Sequence, residues 1–380
     1  MLQRSEFLKA FDRVLNVTIL YPDTRILGGV AIFIEAMRRA FDSSIKTEHF
    51  LVGRRSTDVS RIKILLNTLF DAIRLVWHVR TARPDVVHIN PSLNLKSLFR
   101  DGLFLLVLRL MNKREVLMFM HGWEEDLSAK IAGNRFFCRL FRYIYSWSAM
   151  TIVLASRFRN QLISMGFNPD RIRVDSAMFD GAMFSDLVRQ QHTDRRLVFI
   201  SRLVAGKGMW ELLNAYEFLK PDYPDLTLWF VGDGEEREAI VQSVVKRSIP
   251  DVTVTGYVST ATKAQILLDG DLFVFPTSYG EGCPASLLEA MAAGLPCITT
   301  AVGGIPDIFE NNMNGILLAN VTSQTVADAI ARLLSDTDTL KVIAGHNRAQ
   351  AWDKYESHQV SERIAKDYRS FSTTAGNDRN

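Results

Sequence analysis

Short apolar runs alternate with longer segments of helical periodicity along the chain. In the first half the runs predict strands at Asn16–Tyr21, Val86–Asn90, Glu115–His121, Thr151–Ala155 and Ile172–Asp175. Between them, apolar residues with a helical period predict helices over about Val30–Ala40, Ile62–Val79, Leu95–Met111, Arg135–Trp147, and from Ser156 to a break at Gly166. Repeated alternation of this kind is typical of a parallel sheet covered by helices on both faces.

The second half repeats the alternation after a polar stretch, residues 180–196, which has no clear period. Its predicted strands are Leu197–Ser201, Leu226–Val231, Val252–Thr255, Leu272–Pro276, Cys297–Thr300 and Gly315–Leu318. Because 380 residues exceed one ordinary core, we predict an α/β fold with one domain over residues 1–182 and a second over 183–380. A last helix over about residues 352–371 could return to the first domain and close the site between the two.

Charge is distributed unevenly along an otherwise average globular composition. Hydrophobic residues are 47% of the chain, charged residues 23%, and the net charge is +3. Residues 1–187 hold 27 Lys+Arg and 18 Asp+Glu, whereas residues 188–380 hold 18 and 24. A basic first half is compatible with an anionic membrane surface, an acidic acceptor or nucleic acid, and it does not choose among them.

The cysteines and the amino-terminal sequence help to predict the cellular compartment. Cys138, Cys283 and Cys297 are odd in number and far apart, which favours a reducing compartment and no structural metal. No secretory apolar core precedes the first strand, and no run reaches the ~18 apolar residues of a spanning helix. We expect a cytoplasmic protein that could lie peripherally on the inner face of the membrane.

Two glutamates near the end of the fourth strand of the second half carry the strongest chemical signal. Glu281 and Glu289 are separated by seven residues, and Glu289 stands between apolar neighbours in a predicted helix. A carboxylate in such a place is costly to bury unless it accepts specific hydrogen bonds, for example from sugar hydroxyls. The pair therefore indicates a carbohydrate or nucleotide site.

This segment resembles the signature of retaining glycosyltransferases of family 4, also called glycosyl transferases group 1. The resemblance is carried by the order strand, Pro276, Glu281, Gly282, helix, Gly294, Pro296, strand, Gly303, Gly304, and extends upstream through FISRLVAGKGMWELLNAYEFLK and LWFVGDGEERE. It is strong from about Leu197 to Ala319 and looser before Asn160. It implies the GT-B fold, in which two facing Rossmann-like domains hold the active site in the cleft between them.

The donor side is predicted around Arg202 and Lys207. Two cations beside Gly206 and Gly208 at the start of a helix suit a diphosphate, although the same residues would also fit a solvated loop. The resemblance matches Arg202 and Lys207 to the family's donor-phosphate positions. Ser201 stands where the family usually has glycine.

The resemblance also assigns roles to the two acids and the loop between them. Glu289 would accept hydrogen bonds from the donor ribose, and Glu281 would face the transferred sugar. Gly282, Cys283 and Pro284 are assigned to donor binding, and backbone amides after Glu281 could reach the distal phosphate. Pro284 suits the first turn of the predicted helix, because its missing amide is not needed there. Cys283 and Pro284 depart from the aromatic-glycine form of the motif. From the residues alone, Glu281 could merely favour the helix dipole and Glu289 could lie at a solvent edge.

His121 is the candidate catalytic residue of the first half. It ends a strand next to Gly122, where it could donate to a sugar hydroxyl or stabilise developing positive charge, and the resemblance implies a comparable histidine. His88 is a weaker candidate, and for both a purely structural role remains open. Gly28 and Gly29 could let the backbone approach the donor or the acceptor, with Gly29 assigned to donor binding. They are not a dinucleotide fingerprint, because the GxGxxG spacing is absent.

No metal or cofactor is expected. Asp269 and Asp271 form an Asp-Gly-Asp before a buried strand, and we expect them to cap or turn the chain. The nucleotide-diphosphate sugar would be a co-substrate.

Two basic-aromatic segments bear on the acceptor side. One interleaves arginines with apolar residues: Arg135, Arg139 and Arg142 with Phe136, Phe137, Leu140, Phe141 and Tyr143. The other places Arg54, Arg55, Arg61 and Lys63 at the start of an apolar helix. Such stripes can rest on anionic lipid, or they can be a core-facing stripe with a solvated face.

Taken together, we expect a retaining, metal-independent glycosyltransferase that moves a hexose-type sugar to a glycan or lipid-linked saccharide acceptor in surface polysaccharide biosynthesis. Its predicted partners are the nucleotide sugar, that acceptor and an anionic membrane surface, without nucleic acid. The alternatives are a GT-B-fold nucleotide-sugar epimerase, a noncatalytic nucleotide-binding scaffold, and a glycoside hydrolase, which would not need Arg202 and Lys207.

Overall fold

The computed structural model describes residues 14–21, 28–53 and 61–377, without the side chains of residues 61 and 372–377. Arg54 and Arg55 of the predicted basic segment lie outside the described residues, as does the side chain of Arg61. The chain divides into two compact units. Unit 1 comprises Met1–Ser176 together with Ser357–Asn380, and unit 2 comprises Ala177–Glu356.

Unit 1 is built on a six-stranded sheet. Its strands are β1 (Leu15–Tyr21), β2 (Ile45–Leu51), β3 (Val86–Ile89), β5 (Val116–Met120), β7 (Met150–Val153) and β8 (Ile172–Val174). They lie in the order β2-β1-β3-β5-β7-β8, and each neighbouring pair is parallel. All residues of β3 and β5 are buried, as strands covered on both faces require.

A second, two-residue pair lies just past β3 and β5. It consists of β4 (Ser92–Leu93) and β6 (Gly122–Trp123), which are parallel. The helices of unit 1 are α1 (Gly29–Ala40), α2 (Arg61–Ala82), α3 (Leu95–Leu110), α4 (Glu125–Gly133), α5 (Arg135–Tyr145), α6 (Ser156–Ser164) and α13 (Ser357–Asn377).

Besides the two-residue strands β4 and β6, strand β2 and helix α4 of unit 1 were not predicted from the sequence. Strand β2 lies at the edge of the sheet, and its polar residues Lys46, Glu48 and His49 interrupt the apolar run. Helix α4 buries only Ser128 and Ile131, so its sequence shows no apolar period. The remaining predicted strands and helices of unit 1 are present within a few residues of their expected ends.

Unit 2 contains a second sheet of six parallel strands. They are β9 (Arg195–Ile200), β10 (Leu226–Val231), β11 (Val252–Gly256), β12 (Leu272–Val274), β13 (Cys297–Thr300) and β14 (Gly315–Leu318). The order is β11-β10-β9-β12-β13-β14, so the chain first builds outward from β9 on one side and then on the other. The helices are α7 (Met209–Leu219), α8 (Arg237–Arg247), α9 (Thr260–Asp269), α10 (Ala285–Ala292), α11 (Ser323–Leu334) and α12 (Thr337–Lys354).

The division between the units follows Ser176, six residues before the boundary expected at 182. Residues after Ser176 pack against the end of α12: the amide of Phe179 donates to the carbonyl of Tyr355 at 3.2 Å, and its ring meets Trp352 edge-on at 5.3 Å. These contacts hold the start of the predicted linker within unit 2.

Helix α13 belongs to unit 1 and begins at Ser357, five residues after the expected start of the last helix. Tyr368 donates or accepts a 2.5 Å hydrogen bond with Nδ1 of His88, a residue of β3. Arg173 on β8 contacts Asp367 at 2.6 Å. The helix therefore covers unit 1's sheet.

Within the described ranges, none of the helices has both the length and the apolar composition needed to cross a bilayer.

Candidate functional site

The predicted donor residues of unit 2 lie where its sheet changes direction. Strands β9 and β12 are neighbours, yet the chain leaves β9 toward β10 and returns to β12 only after β11. Residues 201–208 follow the carboxyl end of β9, and residues 275–284 follow that of β12. In open parallel sheets the crevice at such a switch point is where ligands bind.

Backbone contacts fix these two loops to each other. The carbonyl of Gly206 accepts hydrogen bonds from the amides of Ser278 and Tyr279 at 2.8 and 2.9 Å. Gly208, the N-cap of α7, has a φ of +83°, and a Cβ at this position would overlap the carbonyl of Pro276. Glycine is therefore required at 208, because its backbone is left-handed and touches the second loop.

Lys207 and Glu281 form a buried ion pair between the loops. Their side chains are joined at 2.5 Å, and the residues are 5% and 9% exposed. Thr277 donates a further hydrogen bond to the same Glu281 oxygen at 3.2 Å. The ammonium also lies 4.3 Å from the centre of the Tyr279 ring, within cation–π range. The cation assigned to the diphosphate and the acid assigned to the sugar thus touch each other.

The loop that follows β13 contacts the backbone of Glu281. The amide of Gly304 donates to the Glu281 carbonyl at 3.2 Å. Gly303 has a φ of +60°, and a Cβ there would overlap that same carbonyl. The Gly303–Gly304 turn of the motif therefore positions the backbone of Glu281.

Glu289 lies in α10 and is also paired. Its side chain accepts a 2.5 Å hydrogen bond from Lys263 on α9, and the residue is 7% exposed. Burial raises the pKa of Glu289, and the Lys263 charge opposes that rise. The alternative of a solvent-edge position is therefore wrong, because this carboxylate is buried beside one cation.

Arg202 differs from these groups. It is exposed, and within the described part of the chain its guanidinium has no hydrogen bond or ion pair. Its positive charge is consequently not neutralised by the protein. Close by, Cys283 is buried, and Pro284 is the N-cap of α10 rather than a residue of its first turn.

In unit 1 the candidate histidine lies at the carboxyl end of β5. His121 Nε2 is 2.8 Å from the side-chain oxygen of Asn90, which follows the adjacent strand β3. The Asn90 amide nitrogen donates to the carbonyl of Leu20 at 3.2 Å, so its oxygen must face the histidine. Nε2 of His121 then carries the proton, and Nδ1 is left as an acceptor.

The environment of His121 keeps its ring neutral. The ring stacks on Phe119 and meets Phe33 edge-on, with ring centres 4.6 and 4.7 Å apart. Burial lowers the pKa of His121 to about 3. With Nε2 already donating to Asn90, this ring would accept a hydrogen bond from a hydroxyl at Nδ1, rather than donate one as expected from the sequence.

His88 lies deeper than His121, in the interior of unit 1. It is fully buried, and burial, followed by the nearby His121, lowers its pKa to about 3. Its Nδ1 bonds Tyr368, and its Nε2 has no hydrogen-bond partner among the described residues. A residue so enclosed has no surface to offer a substrate, and its contacts fit the structural alternative.

Gly28 and Gly29 lie at the start of α1. A Cβ at either position would meet no atom of the described residues within 4 Å, and neither residue has a positive φ. The protein itself therefore does not require glycine there, and the missing side chains leave open space beside the backbone.

Asp269 and Asp271 accept hydrogen bonds from backbone amides just before β9 and at its start. The Asp269 carboxylate accepts the amide of Gln190 at 2.8 Å, and Asp271 accepts the amide of Arg196 at 2.8 Å. Asp271 also pairs with Arg189 at 2.5 Å. These bonds fix the chain, which is the role expected for the Asp-Gly-Asp.

The basic-aromatic helix α5 is only partly a core helix. Phe141 and Tyr145 are buried, whereas four apolar residues are more than 40% exposed: Phe136, Phe137, Leu140 and Tyr143. Its three arginines are exposed as well. The core-facing alternative therefore accounts for one side of the helix and leaves a second apolar side uncovered.

Comparison with known proteins finds similarity to glycosyltransferases. Residues 194–336 match the family model described as Glycosyl transferases group 1. This match spans β9 to β14 and includes Arg202, Lys207, Glu281 and Glu289. Sequence relatives include the amylovoran biosynthesis glycosyltransferase AmsK of Erwinia amylovora, 23% identical over 59% of this chain and 56% of that protein. Another is the putative teichuronic acid biosynthesis glycosyltransferase TuaC of Bacillus subtilis, 38% identical over 37% of this chain and 33% of that protein.

The chain thus spans only a third to just over half of the length of these relatives. Solved structures match almost all of it. HepE from Anabaena, crystallised with UDP, matches with a TM-score of 0.73 and 17% identity over 94% of this chain and all of that chain. Sucrose-phosphate synthase from Thermosynechococcus elongatus matches with a TM-score of 0.74 and 16% identity over 95% of this chain and all of that chain. The α/β fold with parallel sheets is therefore the one of the GT-B glycosyltransferases, as expected.

Three partner residues were absent from the sequence prediction. Asn90 directly follows β3, and the rule that strand ends of a parallel sheet meet at one edge could have found it. Thr277 lies four residues before Glu281 in the same loop and could have been suspected. Lys263 carries no signal of its own, since only the packing of α9 against α10 brings it to Glu289.

Proposed function

We propose that this chain is a retaining glycosyltransferase that moves a hexose-type sugar from a nucleotide-diphosphate sugar to a glycan or lipid-linked saccharide acceptor. The relatives named above act in the biosynthesis of amylovoran and, putatively, teichuronic acid, which supports a place in surface polysaccharide biosynthesis. The single observation that carries the proposal is the convergence of Arg202, Lys207 and Glu281 at the switch point of unit 2's sheet.

The charges at this edge suit a nucleoside diphosphate. Lys207 is neutralised by Glu281, and Lys263 by Glu289, so the unpaired Arg202 supplies the positive charge. Helix α7 follows the N-cap Gly208, and its first backbone amides are further hydrogen-bond donors. The positive end of the helix dipole lies there too and also favours an anion. A diphosphate would bind at Arg202 and these amides.

Binding the donor would rearrange the Lys207–Glu281 pair. As the bond from the anomeric carbon to the diphosphate breaks, negative charge grows on the leaving oxygen, and Lys207 can turn from Glu281 toward it. The freed Glu281 carboxylate would then accept hydrogen bonds from the sugar. The acceptor oxygen attacks the same face, and its proton goes to the leaving phosphate, so configuration is retained without a metal.

Glu289 would accept hydrogen bonds from the donor ribose. Because this carboxylate is buried with a raised pKa, ribose hydroxyls would supply donors that Lys263 alone does not. We expect Glu289→Gln to raise the donor KM by about 10-fold or more, as loss of a charged hydrogen bond predicts. The exposed Glu238→Gln on α8 is the matched control and should leave the donor KM unchanged.

Acceptor recognition is assigned to unit 1, where His121 Nδ1 would accept a hydrogen bond from an acceptor hydroxyl; Gly29 keeps its assignment to donor binding. A membrane surface is the proposed place of action, because a lipid-linked acceptor would be presented there. Helix α2 supports this with an apolar stripe at helical spacing, in which every residue is more than 45% exposed: Ile62, Leu65, Leu66, Leu69, Phe70, Ile73 and Trp77.

A panel of uridine, guanosine and adenosine diphosphate sugars with glycan and lipid-linked acceptors tests the proposal. A transferred glycan with retained anomeric configuration is the expected product, and it should form in the presence of a metal chelator. An epimerised donor would select the epimerase instead, and donor binding without any product would select the scaffold. Hydrolysis of glycans without a nucleotide sugar would indicate a hydrolase.

A further inference from the structure

A cavity of about 580 Å³ lies in unit 1, is lined in part by the basic-aromatic helix α5, and includes neither the donor residues nor His121. Four arginines line it, Arg109, Arg139, Arg142 and Arg171, together with Ser146, Ser148, Thr151 and Asn168, and no carboxylate is among its described lining residues. Several like charges facing one space repel each other. Their convergence therefore favours an anionic occupant.

Three of these guanidinium groups are free to bind such an occupant. Within the described ranges of the chain, the side chains of Arg139, Arg142 and Arg171 have no hydrogen bond and no ion pair. Arg109 is fixed instead: it donates to the carbonyl of Tyr143 at 2.5 Å and stacks on that ring at 3.7 Å. Planar guanidinium groups that converge without acids are the usual means of binding phosphate oxygens.

The backbone beside the cavity makes room for one of these arginines. Gly166 has a φ of +89°, and a Cβ there would overlap the guanidinium of Arg142. Glycine at 166 therefore serves both to end the turn after α6 and to admit the Arg142 head group. The Arg142 head group therefore packs directly against the backbone of Gly166 at the side of the cavity.

The cavity lies at the edge of the sheet opposite to the candidate catalytic histidine. Thr151 is near the amino end of β7 and Ile172 begins β8, whereas His121 follows the carboxyl end of β5. A four-residue strand such as β7 is about 13 Å long. The cavity and His121 lie at opposite ends of the strands, so they are separated by roughly this strand length. An anion in the cavity would not reach His121.

Apolar side chains surround the arginines on the same helices. Phe136 (69% exposed), Leu140 (44%) and Tyr143 (53%) share α5 with Arg139 and Arg142, and Leu110 at the end of α3 is 79% exposed beside Arg109. Arginines bordered by exposed aromatic and aliphatic side chains are typical of surfaces that enter the boundary between lipid head groups and acyl chains. A small soluble anion would make no contacts with these apolar side chains.

We propose that this arginine-lined cavity binds the phosphate group of an anionic membrane lipid, while Phe136, Leu140 and Tyr143 enter the lipid surface around it. The site is distinct from the donor and acceptor residues and anchors unit 1 to the membrane. The proposal deepens the membrane association in the proposed function and does not depend on which sugar is transferred.

Flotation of the full chain with vesicles tests this site. Vesicles of phosphatidylcholine alone are compared with vesicles in which phosphatidylglycerol replaces part of that lipid. The triple variant R139Q/R142Q/R171Q should bind the anionic vesicles about 100-fold less tightly, since each basic residue near such a surface contributes about a factor of five. The matched control K246Q/K341Q/R348Q removes the same charge from exposed positions of unit 2 and should lose less than about threefold.

Donor turnover with a soluble acceptor, measured on the same samples, separates this site from the proposed function. The triple variant should keep that turnover, which also shows that it is folded. Equal binding of the wild-type chain to neutral vesicles, or equal losses in the triple and control variants, would overturn the site.

If the triple variant fails to fold, competition on the unaltered chain decides. Soluble glycerol phosphate should displace the chain from anionic vesicles only at high concentration, because it lacks the apolar contacts. Full displacement by low concentrations of that compound, or by a soluble acidic glycan, would show a free anion site instead of a lipid site.

Discussion

The sheets of the two units are both parallel and six-stranded, but they differ in strand order and in the chemistry of their carboxyl-end edges. At the edge of unit 2, cations and carboxylates are buried against each other, as in Lys207–Glu281. At the edge of unit 1, the named polar groups are neutral at pH 7, with His121 bonded to Asn90. The difference teaches that the fold supplies the location, while the side chains supply the chemistry; in the proposed function the charged edge would bind the nucleotide and the neutral edge the hydroxyl groups of the acceptor.

The largest expected effect is at Lys207. Lys207→Met should lower transfer by about 1,000-fold, because the leaving diphosphate loses its buried cation. It should also lower the free energy of unfolding by about 3 kcal/mol, since Glu281 is left buried and unpaired. The double variant Lys207→Met with Glu281→Gln should recover stability in urea unfolding without recovering transfer.

Recovery of transfer in that double variant would contradict the role of Lys207. Lys246→Met, at an exposed position of α8, serves as the control and should change neither quantity. A stability loss equal in both double and single variants would mean that the lysine acts only through packing.

The next largest effect is expected from alanine substitution at Gly303, compared with the same substitution at Gly29. Gly303→Ala places a Cβ against the Glu281 carbonyl at a positive φ, so we expect about 100-fold slower transfer and a loss of about 2 kcal/mol in stability. Gly29→Ala meets open space, and its stability should be unchanged or raised by up to about 1 kcal/mol. If Gly29→Ala also retains full activity, no ligand approaches the backbone of unit 1 there.

His121 should have a moderate effect. His121→Ala is expected to lower turnover by about 30-fold, because the acceptor hydroxyl loses a hydrogen-bond acceptor worth about 2 kcal/mol. Since the pKa of His121 is lowered to about 3, the wild-type rate should show no histidine inflection between about pH 5 and 8. An inflection near 6.5 that disappears in His121→Ala would contradict the neutral, buried ring.

The smallest effect concerns His88 and acid stability. Its pKa is about 3 when folded and ordinarily about 6.5 when unfolded, so the unfolded chain binds more protons and stability falls as pH drops through that range. Between about pH 6.5 and 5.5 this amounts to about 1 kcal/mol. His88→Gln should flatten that part of the urea-unfolding profile by the same amount, and an unchanged slope would be inconsistent with a buried neutral ring.

Much of the architecture could be predicted because buried parallel strands are short continuous apolar runs. Every predicted strand of unit 2 is present, and the order of glycines, Pro276 and the two acids marks the loops after β12 and β13. Strand β2 could not be predicted, because an edge strand buries too little to leave an apolar pattern.

The pairings at the site were harder to foresee than its location. Lys207 and Glu281 are 74 residues apart, and Lys263 meets Glu289 only because α9 packs beside α10. Sequence spacing reports on neighbours within one element, whereas these ion pairs depend on how separate elements meet. The roles of Arg202, Lys207, Glu281, Glu289 and His121 stay predictions until the variants are measured.

The return of α13 to unit 1 has a consequence for the order of events during synthesis. Tyr368 bonds His88, a residue 280 positions earlier, so unit 1 is complete only after α13 has been synthesised. Unit 2 is continuous in sequence and can form earlier. A chain truncated after Glu356 should therefore contain all of unit 2 and a unit 1 that lacks α13.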